Sequence, residues 1–167
     1  MGVTNEKSTQ YIAEYGTPHI ALAKIQNLKM EILPFDFTQG AAAGDATSTV
    51  KLRRLPAGLV YFFPFLSRFT CSDIGSNGTI DIGHGAYVGF DGVAVNASTA
   101  LFDDDVDVSG QANQAAMGSD YVEATTANTG AFKKFESQAG VDILVTVNTS
   151  TIAAAAQIHG YLVIARP

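Results

Sequence analysis

From Leu28 onward, apolar and polar residues take turns in short runs bounded by turn residues. Leu28, Met30 and Ile32 alternate with Lys29 and Glu31, and Phe35 and Phe37 follow Pro34. A two-residue period is that of a half-buried strand, and a proline inside it predicts an edge strand with a bulge. Lys51 to Leu55 reads as a second strand, ended by a tight turn at Pro56-Ala57-Gly58. Leu59 to Leu66 is the most apolar run of the chain; too short for a membrane span and rich in aromatic residues, it predicts a strand buried on both faces, with a kink or an edge at Pro64. Arg68–Ile74 and Thr79–Tyr87 flank Ser76-Asn77-Gly78, which predicts a hairpin, and Asp91-Gly92 marks another turn. Val106 and Val108 flank Asp107 in a short strand. The polar stretch Gln111–Gly130 predicts either a long excursion or a short helix around Gln114-Ala115-Ala116-Met117. Phe132 and Phe135 resume the pattern. Val141, Ile143, Val145 and Val147, then Ile158, Leu162 and Ile164, alternate cleanly and are expected to close the fold as an antiparallel pair.

Some eight strands separated by turns, with no strong amphipathic helix, select an all-β fold: an antiparallel two-sheet β-sandwich of the jelly-roll type. An immunoglobulin-like sandwich or a partly open barrel would leave similar marks. The pattern starts only at Leu28, so residues 28–167 form the sandwich domain and residues 1–27 an N-terminal arm. Within the arm, Gly16-Thr17-Pro18 stops any helix begun by Tyr11 to Tyr15. Tyr11, Ile12, Tyr15, Ile20, Leu22 and Ile25 are too many apolar residues for a free tail, so the arm packs either on its own sandwich or on a neighbour. Tyr11, Ile12 and Tyr15 are the candidate interface residues.

Composition adds a constraint on the surface. Charged residues make up 16% of the 167, well below the roughly 25% of ordinary soluble domains, so much of the surface is neutral and suited to being covered by protein. A net charge of −6 and a pI near 4.8 leave no basic face for nucleic acid. Lys51, Arg53 and Arg54 are the one local basic cluster, expected to make ion pairs or to mark a sheet edge. The single cysteine, Cys71, has no intramolecular partner and sits among Phe69 and Ile74 as a core residue. There is no secretory pattern at the start and no run of about 18 apolar residues, which predicts synthesis in the cytoplasm and no membrane partner.

Catalytic chemistry finds little purchase. His19, His84 and His159 each stand alone, without a zinc-ligand spacing, and Asp81, three residues from His84 on a strand, would face the opposite side. No phosphate loop and no nucleophile elbow occurs. Phe102 to Asp107 carries four carboxylates. It lacks the glycine and terminal glutamate of a calcium loop, so a solvated acidic loop is the first expectation, with calcium on Asp103, Asp105 and Asp107 the alternative. No catalytic residue, cofactor or resident metal is expected.

At Leu52-Arg53-Arg54-Leu55-Pro56-Ala57-Gly58, Leu66-Ser67-Arg68-Phe69, the stretch Thr79-Ile80-Asp81-Ile82-Gly83-His84-Gly85-Ala86-Tyr87, and Phe135-Glu136-Ser137 to Arg166, the chain resembles the capsid decoration, or cement, proteins of tailed bacteriophages. The resemblance covers roughly residues 50 to 166. It implies a structural virion protein made in the host bacterial cytoplasm, a homotrimer on the outer capsid surface that clamps neighbouring major capsid subunits and needs no chemistry. The competing expectation is a carbohydrate-binding jelly roll for host attachment, with Asp103 to Asp107 beside its groove.

Overall fold

The structure, a computed structural model, describes residues 29–41, 44, 47–72, 78–109, 112–118, 132–148 and 152–167, with backbone alone at 112–116. Residues 1–29 with Pro167 and residues 30–166 form two separate units, and the sandwich is the second. Its strands are β1 (Lys29–Thr38), β2 (Thr49–Leu55), β3 (Gly58–Phe62), β4 (Arg68–Cys71), β5 (Thr79–His84), β6 (Tyr87–Val88), β7 (Ala94–Val95), β8 (Ser98–Asp107), β9 (Ala112–Ala116), β10 (Lys133–Ser137), β11 (Val141–Val147) and β12 (Gln157–Arg166).

β3 and β4 are one strand broken by an insertion. Phe62 pairs with Ile164 and Arg68 with Tyr161 on the same partner, β12, and the intervening Pro64–Leu66 forms a single 3-10 turn that bulges out of the sheet. Pro64 starts that turn at a position where its missing N–H costs nothing. Ser67 rivets the insertion to the sheet: its Oγ donates to the Phe63 carbonyl at 2.9 Å and accepts the Val163 N–H at 2.9 Å, with the residue wholly buried.

Taking β3–β4 as one strand, and β10 and β9, which pair along its outer side, as another, the described residues outside the small β6–β7 pair reduce to two four-stranded antiparallel sheets. One runs β1, β12, β3–β4, β9 and β10; the other runs β2, β11, β5, β8. Counted along the chain, the first strand pairs the eighth, the second the seventh, the third the sixth and the fourth the fifth, which is a long hairpin rolled on itself, the jelly roll. Phe62 of one sheet meets Phe102 of the other edge to face at 5.0 Å, within a core that also holds Leu55, Phe69, Ile82, Phe135 and Ile158. Burying each such side chain contributes about 1.5–3 kcal/mol.

Several expectations change. β4 and β5 flank Asn77-Gly78 yet lie in different sheets, so the two strands do not form a hairpin. β11 and β12 likewise belong to different sheets and are not a closing pair. Alternation reports which face a residue occupies, not which strand lies beside it. Residues 112–116 form strand β9, not a helix, and the acidic stretch belongs to the ten-residue strand β8, not a loop. The run Leu59–Leu66 is strand only to Phe62, and Phe65 and Leu66 are exposed on the bulge. Cys71 is buried in the core, as expected.

Candidate assembly surfaces

The outer faces of the two sheets differ in character. On the β2–β11–β5–β8 sheet the outward positions are mostly polar, Thr49, Lys51 and Arg53 on β2, Asp142 and Thr146 on β11, Thr79 and Asp81 on β5, with Leu144 the apolar one. Asp142 binds Lys51 at 2.8 Å and Arg54 at 3.4 Å, so the basic cluster makes ion pairs on the edge strand, as expected. On the other sheet the outward face is mixed, polar at Asp36, Arg68, Thr70, Lys134 and His159 and apolar over one patch. Leu33, Phe35 and Phe37 of β1 point to the core, which turns Met30, Ile32 and Pro34 outward, with Met30 and Ile32 59% and 67% exposed. Ile158, Leu162 and Ile164 of β12 point inward and Tyr161, Val163 and Ala165 outward. Ala165 stands opposite Tyr61, whose ring packs edge-on against Phe132 at 5.2 Å, with Phe63 against the same ring at 5.8 Å. A solvated sandwich keeps its outer faces polar; the exposed Met30 and Ile32 depart from that.

A second apolar feature stands at the end of the sandwich. β6 and β7 form a short hairpin whose Val88, Phe90 and Val93 are 42%, 54% and 59% exposed. The turn between them is held by bonds from Gly89 N–H to the Val93 carbonyl (2.8 Å), Gly92 N–H to the Gly89 carbonyl (3.0 Å) and Val93 N–H to Asp91 Oδ1 (3.0 Å), with Gly92 at φ +79°. Gln138 N–H to the Val88 carbonyl fixes its base to the loop after β10. A groove of about 320 Å³ opens elsewhere, over β1, β12 and β4, lined by Phe35, Phe69, Tyr161, Arg68 and His159, with Gly160 as its floor.

The acidic residues part company. Asp103 is fully buried and accepts the Gly118 N–H at 2.6 Å, tying β8 to the end of β9, while Asp107 accepts the Ser109 N–H at 2.9 Å, a bond that holds its carboxyl below the usual carboxylate range. Asp105 turns to a different group: Asp81, Asp104 and Asp105 bring carboxylate oxygens within 4.8 Å of one another. Donors already meet this cluster, the Asp105 N–H and Asn148 Nδ2 on Asp81, and Asn148 Nδ2 and Thr79 Oγ1 on Asp105. His84 lies on the other face of β5, buried against Phe135 (5.3 Å) and Tyr87 (5.7 Å), with its Nδ1 2.9 Å from the Gly85 carbonyl. Burial pushes its pKa down, against the bond to Gly85 and with the charge of Lys133. It is a core histidine, and Asp81 faces away from it. His159 sits opposite Thr70 on the exposed face. Tyr11, Ile12 and Tyr15 lie outside the described residues. No helix among the described residues is long and apolar enough to cross a membrane.

No protein-family model matches the chain, and no curated protein matches it in sequence. Solved structures do. A chain in the capsid asymmetric unit of cyanophage Pam1 superposes with a TM-score of 0.50 at 13% identity, over 84% of this chain and 86% of that one. A chain of infectious bursal disease virus, Gx strain, gives a TM-score of 0.45 at 11% identity, over 83% of this chain and 32% of its own length. The VP2 subviral particle of infectious bursal disease virus gives 0.35 at 9% identity, over 83% and 33%. At these identities the likeness is one of fold.

Proposed function

We propose that this chain is a structural protein of a phage particle, a jelly-roll subunit that seats on the outside of the capsid and clamps neighbouring major capsid subunits, acting by binding and not by catalysis. The observation that carries the reading is the apolar patch on the outer face of the β1–β12 sheet, where Met30 and Ile32 are exposed on the sheet that carries the Tyr61–Phe63–Phe132 ring cluster, with Tyr161 exposed further along β12. Such a face is stable in water only at a cost, and a protein partner removes it. The fold likeness to a chain of the Pam1 capsid and the sequence resemblance to decoration proteins supply the partner's class. Contacts of about 800 Å² on each side, repeated by symmetry, hold such a subunit without any single strong site. In this reading the subunits are trimers, and Tyr11, Ile12 and Tyr15 of the arm lie against a neighbouring subunit.

The test is co-sedimentation of the purified protein with phage heads that lack it. Saturable binding, with a rise in the heads' resistance to heat, supports the reading. A protein that ignores heads and is retained on a polysaccharide column would replace it with the carbohydrate-binding alternative. Deleting residues 1–27 should lower occupancy on heads; unchanged occupancy would remove the arm from the interface.

A further inference from the structure

The β6–β7 tip and the β1–β12–β4 groove are two halves of a contact that one chain cannot close on itself. Gly89 bridges to Ser137, which pairs with Gly58, so the tip lies at the Gly58 end of the first sheet. Gly160 pairs with Phe69, on the far side of the Pro64–Leu66 bulge. The two places are separated by about eight residues along the strand direction, or ~26 Å at the rise of a β-strand. The tip is preformed by its own turn bonds, so that Phe90 and Val93 are presented at little entropic cost on binding. The groove, of about 320 Å³, is open at Tyr161, Arg68, Thr70 and His159, with the buried Phe35 and Phe69 beneath it.

Charge fits in the same sense. Asp91 follows Phe90 at the tip, and Arg68 lines the groove. Arg68 Nη1 is oriented by the carbonyls of Phe65 (2.5 Å) and Ser67 (3.0 Å), and neither Arg68 nor Asp91 has an ion-pair partner among the described residues. We infer that the occupant of the groove is the hairpin tip of a second copy of this chain, with Phe90 seated against Tyr161 over Gly160 and Asp91 directed at Arg68. The contact is heterologous: each copy offers a tip to one neighbour and a groove to another, so that it closes into a ring or extends as a chain. This goes beyond the virion reading and stands without it, because it concerns the purified protein alone.

The full-length chain is examined by sedimentation equilibrium as the wild type, Phe90→Ser and Tyr161→Asp, all three checked for native circular dichroism. Both substituted side chains point to solvent, so the fold should survive. The wild type is expected to self-associate and Phe90→Ser to weaken association about thirtyfold, the effect of losing a central aromatic anchor. An equimolar mixture of the two variants should recover dimers and nothing larger, because one intact tip meets one intact groove only once. A monomeric wild type, an unchanged Phe90→Ser, or a mixture that stays monomeric would each overturn the inference. Binding of such a monomer to phage heads would leave the virion reading standing.

Discussion

Ser67 is the side chain on which the β3–β4 insertion turns, and Ser67→Ala isolates its contribution. The substitution removes one acceptor and one donor from a wholly buried site. The Phe63 carbonyl keeps the backbone N–H groups of Leu66 and Ser67, both at 3.2 Å, and so loses little. The Val163 N–H, which Ser67 Oγ accepts at 2.9 Å, loses that partner. An orphaned buried donor costs roughly 1–3 kcal/mol. Taking about 2 kcal/mol, the melting temperature of a chain this size should drop by roughly 4–8 °C. Thermal and urea unfolding followed by circular dichroism would measure this, with the slope against urea unchanged if only the native state is affected. Thr146→Val is the control: its Oγ1 is buried and finds no partner, so removing the hydroxyl should be neutral or stabilise by up to about 1 kcal/mol. A Ser67→Ala loss no larger than the Thr146→Val change would show that the insertion is held by its own backbone bonds and that Ser67 is no rivet.

Acid should act on the core through His84. Its folded pKa is depressed by burial, so below about 6.5 the unfolded chain takes up a proton that the folded one refuses; the stability present above that pH is lost as pH falls toward the folded value. Urea midpoints at about pH 7.5 and about pH 5.5 should therefore differ less in His84→Phe than in the wild type, and an identical difference would exonerate the histidine. For Asp81, Asp104 and Asp105, the donors on Asp81 and Asp105 already offset part of the charge, so melting curves with calcium and with chelator should coincide; a rise with calcium would make the cluster an ion site. Gly160→Ala should destabilise by about 1–3 kcal/mol or more, because its Cβ would lie 2.1 Å from the Arg68 carbonyl oxygen and 2.9 Å from Phe69 Cα, both backbone atoms. Gly40→Ala, with nothing within 4 Å, is its harmless counterpart in the same melting assay.

Much of the fold was legible because it is local. The clean alternation of Val141 to Val147 places those residues in the core, and the basic Lys51–Arg54 stretch does mark an edge strand. Pairing was not legible. An Asn-Gly turn favours reversal of the chain, but whether the next strand lies beside the last or across the sandwich is decided by packing between residues far apart, such as Phe62 on Phe102. Strand β9 was hidden by composition: Ala112-Asn113-Gln114-Ala115-Ala116 has no apolar contrast between its faces, and its place comes from pairing with Arg68–Cys71. Asp103 looked like one of four solvated carboxylates, since nothing in a run of aspartates says which one turns inward to meet the Gly118 N–H. The β6–β7 tip was missed as a site although its signal was present. Phe90-Asp91-Gly92-Val93 puts two large apolar residues on either side of a turn, where a solvated hairpin would carry polar ones.

The contrast between the two sheets bears on what kind of protein this is. Folding alone requires only the inward halves of the strands to be apolar, and the β2–β11–β5–β8 sheet stays close to that requirement, with Thr49, Lys51 and Arg53 turned to water and Leu144 its apolar outward residue. The β1–β12 sheet exceeds it. Its outward Met30, Ile32 and Tyr161 add nothing to the core that Leu33, Phe35 and Leu162 do not already supply, and they raise the hazard of non-specific association. The exposed tip at Phe90 and Val93 runs the same hazard. Surplus apolar surface concentrated on one patch and one tip, with the other sheet mostly polar, is what a subunit needs if it must be covered on defined sides and wetted on the rest. A pocket-based binder would instead concentrate its apolar residues inside one concave site.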